Sequence, residues 1–160
     1  MKPLALTGRI LYALIFVFAA PGHFTANEIA YAAAQGVPLA GLAVPASGIL
    51  ALVGGLSIAL GYRVRWGAAA LVVFLVPVTI AMHNFWAVTD PMMAQLHMVM
   101  FVKNVALIGA ALFIASAGAG PLSLDARGQA RKASLGTAAG EAAAVGDPPS
   151  LLAGTSARAR

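Results

Sequence analysis

Four long apolar runs dominate this 160-residue chain, at Leu4 to Ala20, Leu42 or Ala46 to Leu60, Gly67 to Met82 and Met98 to Ala117. Each approaches the roughly 20 residues that a helix needs to cross a bilayer core. In hydrocarbon every backbone N–H and C=O must be satisfied internally, so such runs can only be helices packed on one another. The expectation is one all-α domain, a transmembrane four-helix bundle over residues 1–125. Composition agrees: 61% of residues are hydrophobic and 9% charged, where soluble domains carry about a quarter charged residues. The lipid bilayer is thus the first partner.

The charges carry topology. There are 10 Lys+Arg against 5 Asp+Glu, a net charge of +5. These cations do not cluster among aromatics as a nucleic-acid surface requires, so no nucleic acid partner is expected. They recur instead at one side of the runs: Lys2 and Arg9, then Arg63 and Arg65, then Arg127, Arg131 and Lys132. The positive-inside rule then places both termini in the cytoplasm of a bacterial cell with a multi-pass inner-membrane protein. A cleaved signal peptide over the first run is the rival, disfavoured because Arg9 interrupts it. Residues 126–160, rich in Ala, Gly, Ser and Arg, are expected to form a disordered cytoplasmic tail. The chain has no cysteine, which excludes thiolate nucleophiles and Cys-ligated metal sites within it.

Local signals refine the elements. Thr25-Ala26-Asn27-Glu28 has capping-box spacing and predicts a short interfacial helix ended by Gly36-Val37-Pro38. Asp90-Pro91 reads as an N-cap followed by proline at the first helical position. Ser47, Ala51, Gly55 and Ala59 recur every four residues, a small-residue face for close helix packing. Pro77 predicts a bend in the third span, and Tyr62 to Trp66 a short loop before it.

Side chains able to carry chemistry gather near His83-Asn84-Phe85-Trp86 and on the last span. Helical spacing puts His97, Phe101, Asn104 and Ile108 on one stripe, with Lys103 rotated by about 100°. Lys103 lies within an apolar run. A functional role and snorkelling of its ammonium to the interface stand side by side. A buried Asn most often bonds across helices. His23, His83 and His97 all fall at the outer ends of spans. They are candidates for proton relay, quinone contact or a haem pair, against a background of simple hydration. No metal-ligand spacing is present, so no metal site is assigned. Arg9 binds lipid phosphate, pairs with Asp125 or anchors the first helix, of which anchoring is the commonest use.

The order Gly8-Arg9, Gly22-His23-Phe24, Gly36-Val37-Pro38, Gly54-Gly55, Gly61, His83-Asn84-Phe85-Trp86, Phe101-Val102-Lys103-Asn104 and Gly118-Ala119-Gly120-Pro121-Leu122-Ser123-Leu124-Asp125 resembles the DoxX family of small bacterial membrane proteins. The resemblance runs from about Thr7 to Asp125. It implies a four-helix membrane bundle. Members are tied to a thiosulfate:quinone oxidoreductase, to membrane thiol-oxidative-stress complexes and, more distantly, to trafficking or receptor assembly. A family name alone therefore fixes no activity. The family pattern places a Glu before the paired glycines and a Lys after the glycine ending span one. Val53 and His23 stand there in this chain.

These readings combine into two expectations. The first is a component of a redox or oxidative-stress complex, partnered by an oxidoreductase, with quinone as the candidate ligand. Its site would be His83, Trp86, His97, Lys103 and Asn104: Lys103 donating to an oxygen, Trp86 stacking, the histidines handling protons. The second is a non-catalytic membrane scaffold or assembly factor.

Overall fold

The computed structural model describes residues 2–146, with side chains from Pro3 to Ala139. Six α-helices follow one another: α1 Lys2–Ala19, α2 Ala26–Ala34, α3 Ala40–Leu60, α4 Val64–Met82, α5 Pro91–Ala117 and α6 Leu124–Gly146. Short 3-10 turns at Ala20–Phe24 and Phe85–Ala87 join α1 to α2 and α4 to α5. No strand occurs among the described residues. Four of the helical segments are long and apolar enough to cross a membrane: Pro3–Phe24, Ala40–Leu60, Val64–Ala87 and Pro91–Ala117. The expected transmembrane four-helix bundle is therefore present. The chain divides into two units, Met1–Arg127 and Gly128 onward. The bundle is the first.

Within the bundle α3 lies between α1 and α4, and α4 lies between α3 and α5. Its core joins Ala13 and Phe16 of α1, Ala51 and Ile58 of α3, Ala68, Leu71, Phe74 and Leu75 of α4, and Ala111 of α5. Helices α1 and α5 meet through side chains. The Tyr12 hydroxyl donates to the Leu107 carbonyl at 2.9 Å, and Tyr12 tilts against Phe16 at 5.3 Å between centroids.

The paired glycines of α3 serve different neighbours. A Cβ at Gly54 would stand 2.7 Å from Leu71 Cδ2 and 3.0 Å from the Gly67 carbonyl, both on α4. A Cβ at Gly55 would stand 3.1 Å from Phe16 Cβ on α1. On α4, Gly67 returns the approach: a Cβ there would meet the Ser57 hydroxyl and lie 3.2 Å from the Gly54 carbonyl. The four-residue stripe read from the sequence is thus half of the arrangement. Ala51 and Gly55 are buried, and Gly48 and Gly54 form a further small-residue set beside them.

Both N-terminal cap assignments hold. Thr25 Oγ1 accepts from Glu28 N at 3.3 Å, and Asp90 Oδ1 accepts from Met93 N at 2.8 Å. Two elements differ from expectation. Helix α4 starts at Val64, inside the stretch read as a loop, while its end at Met82 and the inclusion of Pro77 are as expected. The segment from 126 read as disordered is helical to Gly146. Its many alanines have the highest intrinsic helix propensity, and its described side chains are exposed from Arg127 onward. Residues 147–160 of the expected tail lie outside the described residues.

Close approach in lipid is unforgiving of added volume. Gly67→Ala should destabilise the purified protein by about 1–3 kcal/mol through overpacking at Ser57 and Gly54. Gly109→Ala, with open space around it, should be neutral or stabilising by up to ~1 kcal/mol. Thermal unfolding followed by circular dichroism in detergent separates the two outcomes.

Candidate functional site

The two ends of the bundle treat polar groups differently. At the end holding the N-terminus of α1, the chain after α5 turns back and is locked in place. Gly118 takes φ 79° and Gly120 φ 73°, conformations that favour glycine. The Asp125 carboxylate then accepts from the backbone N–H of Arg63 at 2.8 Å and of Val64 at 3.3 Å. It thereby satisfies donors at the start of α4 that no local residue caps. Asp125 N returns a bond to the Gly61 carbonyl at 2.9 Å.

Arg9 completes this clasp. Its side chain is buried, 5% exposed, and its guanidinium donates to the carbonyls of Ala119 and, at 2.6 Å, of Leu122. Its Nε has no partner among the described residues. Gly61, at φ 66°, leaves room for it, because a Cβ there would meet the Arg9 guanidinium and Ser123. The Arg9 bonds tie α1 to the segment that follows α5.

At the opposite end, α4 and α5 bring two histidines together. The His83 and His97 ring centroids are 5.8 Å apart, edge to face. His97 is 8% exposed, and its Nδ1 is buried with no hydrogen-bond partner among the described residues. Asn104, two turns along the same stripe, is 4% exposed and makes no side-chain hydrogen bond among the described residues. Lys103 is exposed on the other side of α5, with Nζ 3.5 Å from Met100 Sδ. Trp86 is exposed and stands edge to face against Phe85 at 5.1 Å and Phe101 at 5.8 Å. The structure therefore brings His83 and His97 together between α4 and α5, buries Asn104 further along α5, and leaves Lys103 and Trp86 exposed. No group of three or more metal-binding side chains occurs among the described residues.

His23, the third histidine, is elsewhere. Its ring sits 5.6 Å from Phe74 on α4, and Gly48 of α3 makes the room, since a Cβ there would lie 2.6 Å from His23 Cβ. His23 borders a cavity of about 470 Å³ between α2, α3 and α4. Its walls are almost wholly apolar, including Val44, Leu50, Phe74 and Met82, with His23, Glu28 and Ser47 as the polar exceptions. This cavity was not foreseen from the sequence. The only signals for it were a histidine and a lone acid flanking the cap at Thr25.

Comparison with known proteins now bears on this geometry. The sequence model of DoxX matches residues 4–84. "Inner membrane protein YphA" of Escherichia coli (strain K12) is 30% identical over 126 residues, 78% of this chain and 89% of that protein. This chain belongs to the DoxX family. No solved structure matches it. The DoxX match spans α1 to the end of α4, so it takes in His83 and the whole lining of the cavity but not α5. As a DoxX protein with four apolar helices, the chain is a multi-pass inner-membrane protein.

The clasp has a measurable energy. Asp125→Ala removes the cap of α4 and should lower stability by about 1–2 kcal/mol. Arg9→Ala leaves two carbonyls without donors and should cost about 1–3 kcal/mol. Because both hold one folded-back segment, the double variant should lose less than the sum. Unfolding in mixed detergent micelles measures all three.

Proposed function

We propose that this protein is a membrane component of a redox or oxidative-stress complex, and that it contacts quinone at the α4–α5 end through His83, His97 and Asn104. The observation that supports this is the orphaned Nδ1 of buried His97. A buried polar nitrogen without a partner is rare in folded proteins and calls for an explanation. A ligand oxygen supplies one: a quinone carbonyl accepts from an imidazole N–H or from the Asn104 amide. His83, in contact with His97, is placed to exchange protons with it, and Lys103 and the Trp86–Phe101 edge pair border the approach. A soluble or membrane oxidoreductase is the partner this reading requires.

The scaffold reading has its own support. The Arg9–Asp125 clasp and the matched glycines of α3 and α4 are devices of architecture. It predicts co-purification of a partner protein with no bound quinone.

Organic extraction of protein purified in mild detergent, followed by mass spectrometry, separates these. Quinone should accompany the native protein and fall about tenfold in His97→Ala, the loss of one to two kcal/mol of hydrogen bonding. Native protein free of quinone rules the first reading out.

For topology, we infer from the Lys and Arg distribution that both termini face the cytoplasm. The absence of native cysteine makes single-cysteine labelling clean. A Thr89→Cys variant should react with an impermeant maleimide in intact spheroplasts. A Ser134→Cys variant should react only after lysis, and the reverse pattern would invert the topology.

A further inference from the structure

We propose that the cavity between α2, α3 and α4 is a binding site for a lipophilic cation, a compact apolar body carrying a protonated amine. The inference is independent of the quinone reading, because the cavity and the His83–His97 contact lie on different helix pairs. Its volume, about 470 Å³, is within the range of small-molecule sites. Its lining on α4 runs from Val73 to Met82, roughly 14 Å of helix at 1.5 Å per residue. The body of a ligand would thus lie along a wall of apolar side chains.

The polar groups on the cavity wall are acceptors. His23 Nδ1 lies 3.2 Å from the Ala19 carbonyl, which can only accept. The N–H is therefore on Nδ1, and in that tautomer Nε2 is the acceptor. The Ser47 hydroxyl donates its proton to the Val44 carbonyl at 2.7 Å, so only its lone pairs are free. Pro77 lines the wall and has no N–H to give the carbonyl of Val73, four residues earlier on the same wall.

Glu28 supplies the charge. In a complete capping box its carboxylate would reach back to the N–H of Thr25. Here that N–H donates to the Gly22 carbonyl at 3.0 Å. The Glu28 carboxylate is thus released from the cap. It has no cationic partner among the described residues, and it is exposed at the cavity it lines. An apolar chamber with acceptors on its wall and one carboxylate at its mouth is complementary to a cationic donor. A carboxylate-headed ligand would meet like charge, and a neutral one would leave Glu28 unpaired.

The test is isothermal titration calorimetry of the full chain in phosphatidylcholine nanodiscs, with empty discs subtracted. Three cage probes of one shape are compared: 1-aminoadamantane, 1-adamantanol and adamantane-1-carboxylate. The amine should bind saturably and at least about tenfold more tightly than the alcohol, the gain of a charge-assisted contact, and the carboxylate should not bind. Glu28→Gln should remove the advantage of the amine and leave the alcohol unchanged. Ala81→Phe, which fills the chamber, should abolish both. Ala46→Phe at the exposed rim serves the same purpose if the first variant fails to fold by circular dichroism. Equal binding of amine and alcohol, an unchanged amine affinity in Glu28→Gln, or no heat above empty discs would each overturn the proposal.

Discussion

The bundle depends on α3 being narrow on two sides at once. Between helices in lipid there is little hydrophobic drive, so association rests on backbone proximity and van der Waals contact. Gly54 admits α4 and Gly55 admits α1, adjacent residues that point about 100° apart around the helix. That angular step is what sets α1 and α4 on neighbouring flanks of α3. Helix α5 then joins through α4 and closes toward α1 by Tyr12 rather than by backbone approach. A side chain on either glycine would open one of the two seams, and with it the core around Phe16 and Leu71.

Polar groups at the ends of the helices face the same low-dielectric constraint. At the Arg9 end they are almost all paired within the chain. Asp125 caps α4, Arg9 holds the carbonyls of the returning segment, and Ser123 bonds to Gly120 O and to Ala126 N. At the opposite end the accounting is incomplete. His97 Nδ1 is orphaned, as Arg9 Nε is at the first end, and Asn104 is buried without a side-chain bond among the described residues. Buried polar groups are ordinarily satisfied. The unpaired nitrogen of His97 is the observation on which the proposed ligand contact rests.

Features with local causes were legible in the sequence. The spans follow from run length, the caps at Thr25 and Asp90 from spacing of three residues, and the separation of the His97–Asn104 stripe from Lys103 from helical periodicity; that His97 is buried rather than hydrated did not. Features with distant causes were not. Arg63 and Val64 look like loop residues because the carboxylate that caps α4 lies 62 and 61 positions along the chain. Gly48 reads as one more small residue of α3, whereas its role is set by His23 beyond the end of α1. The cavity has no motif at all, since a void is defined by what three helices fail to fill. The family resemblance extends to Asp125; the DoxX match reaches residue 84, and the similarity to YphA, at 126 residues, is long enough to take in α5 as well.

The departure at His23 gains meaning in this setting. The resemblance implies a Lys there, which could pair with the Glu28 carboxylate. The histidine in its place is instead bonded through Nδ1 to a main-chain carbonyl. The second departure, Val53, is exposed on α3 and lines neither the cavity nor the His83–His97 contact. The two substitutions therefore act in different places. The one at His23 lies on the wall of the chamber, and the one at Val53 on an outward face of the bundle. With Glu28 as the one carboxylate on that wall and no Lys or Arg among the lining residues, the physical basis for proposing a positively charged ligand is the chamber's own charge.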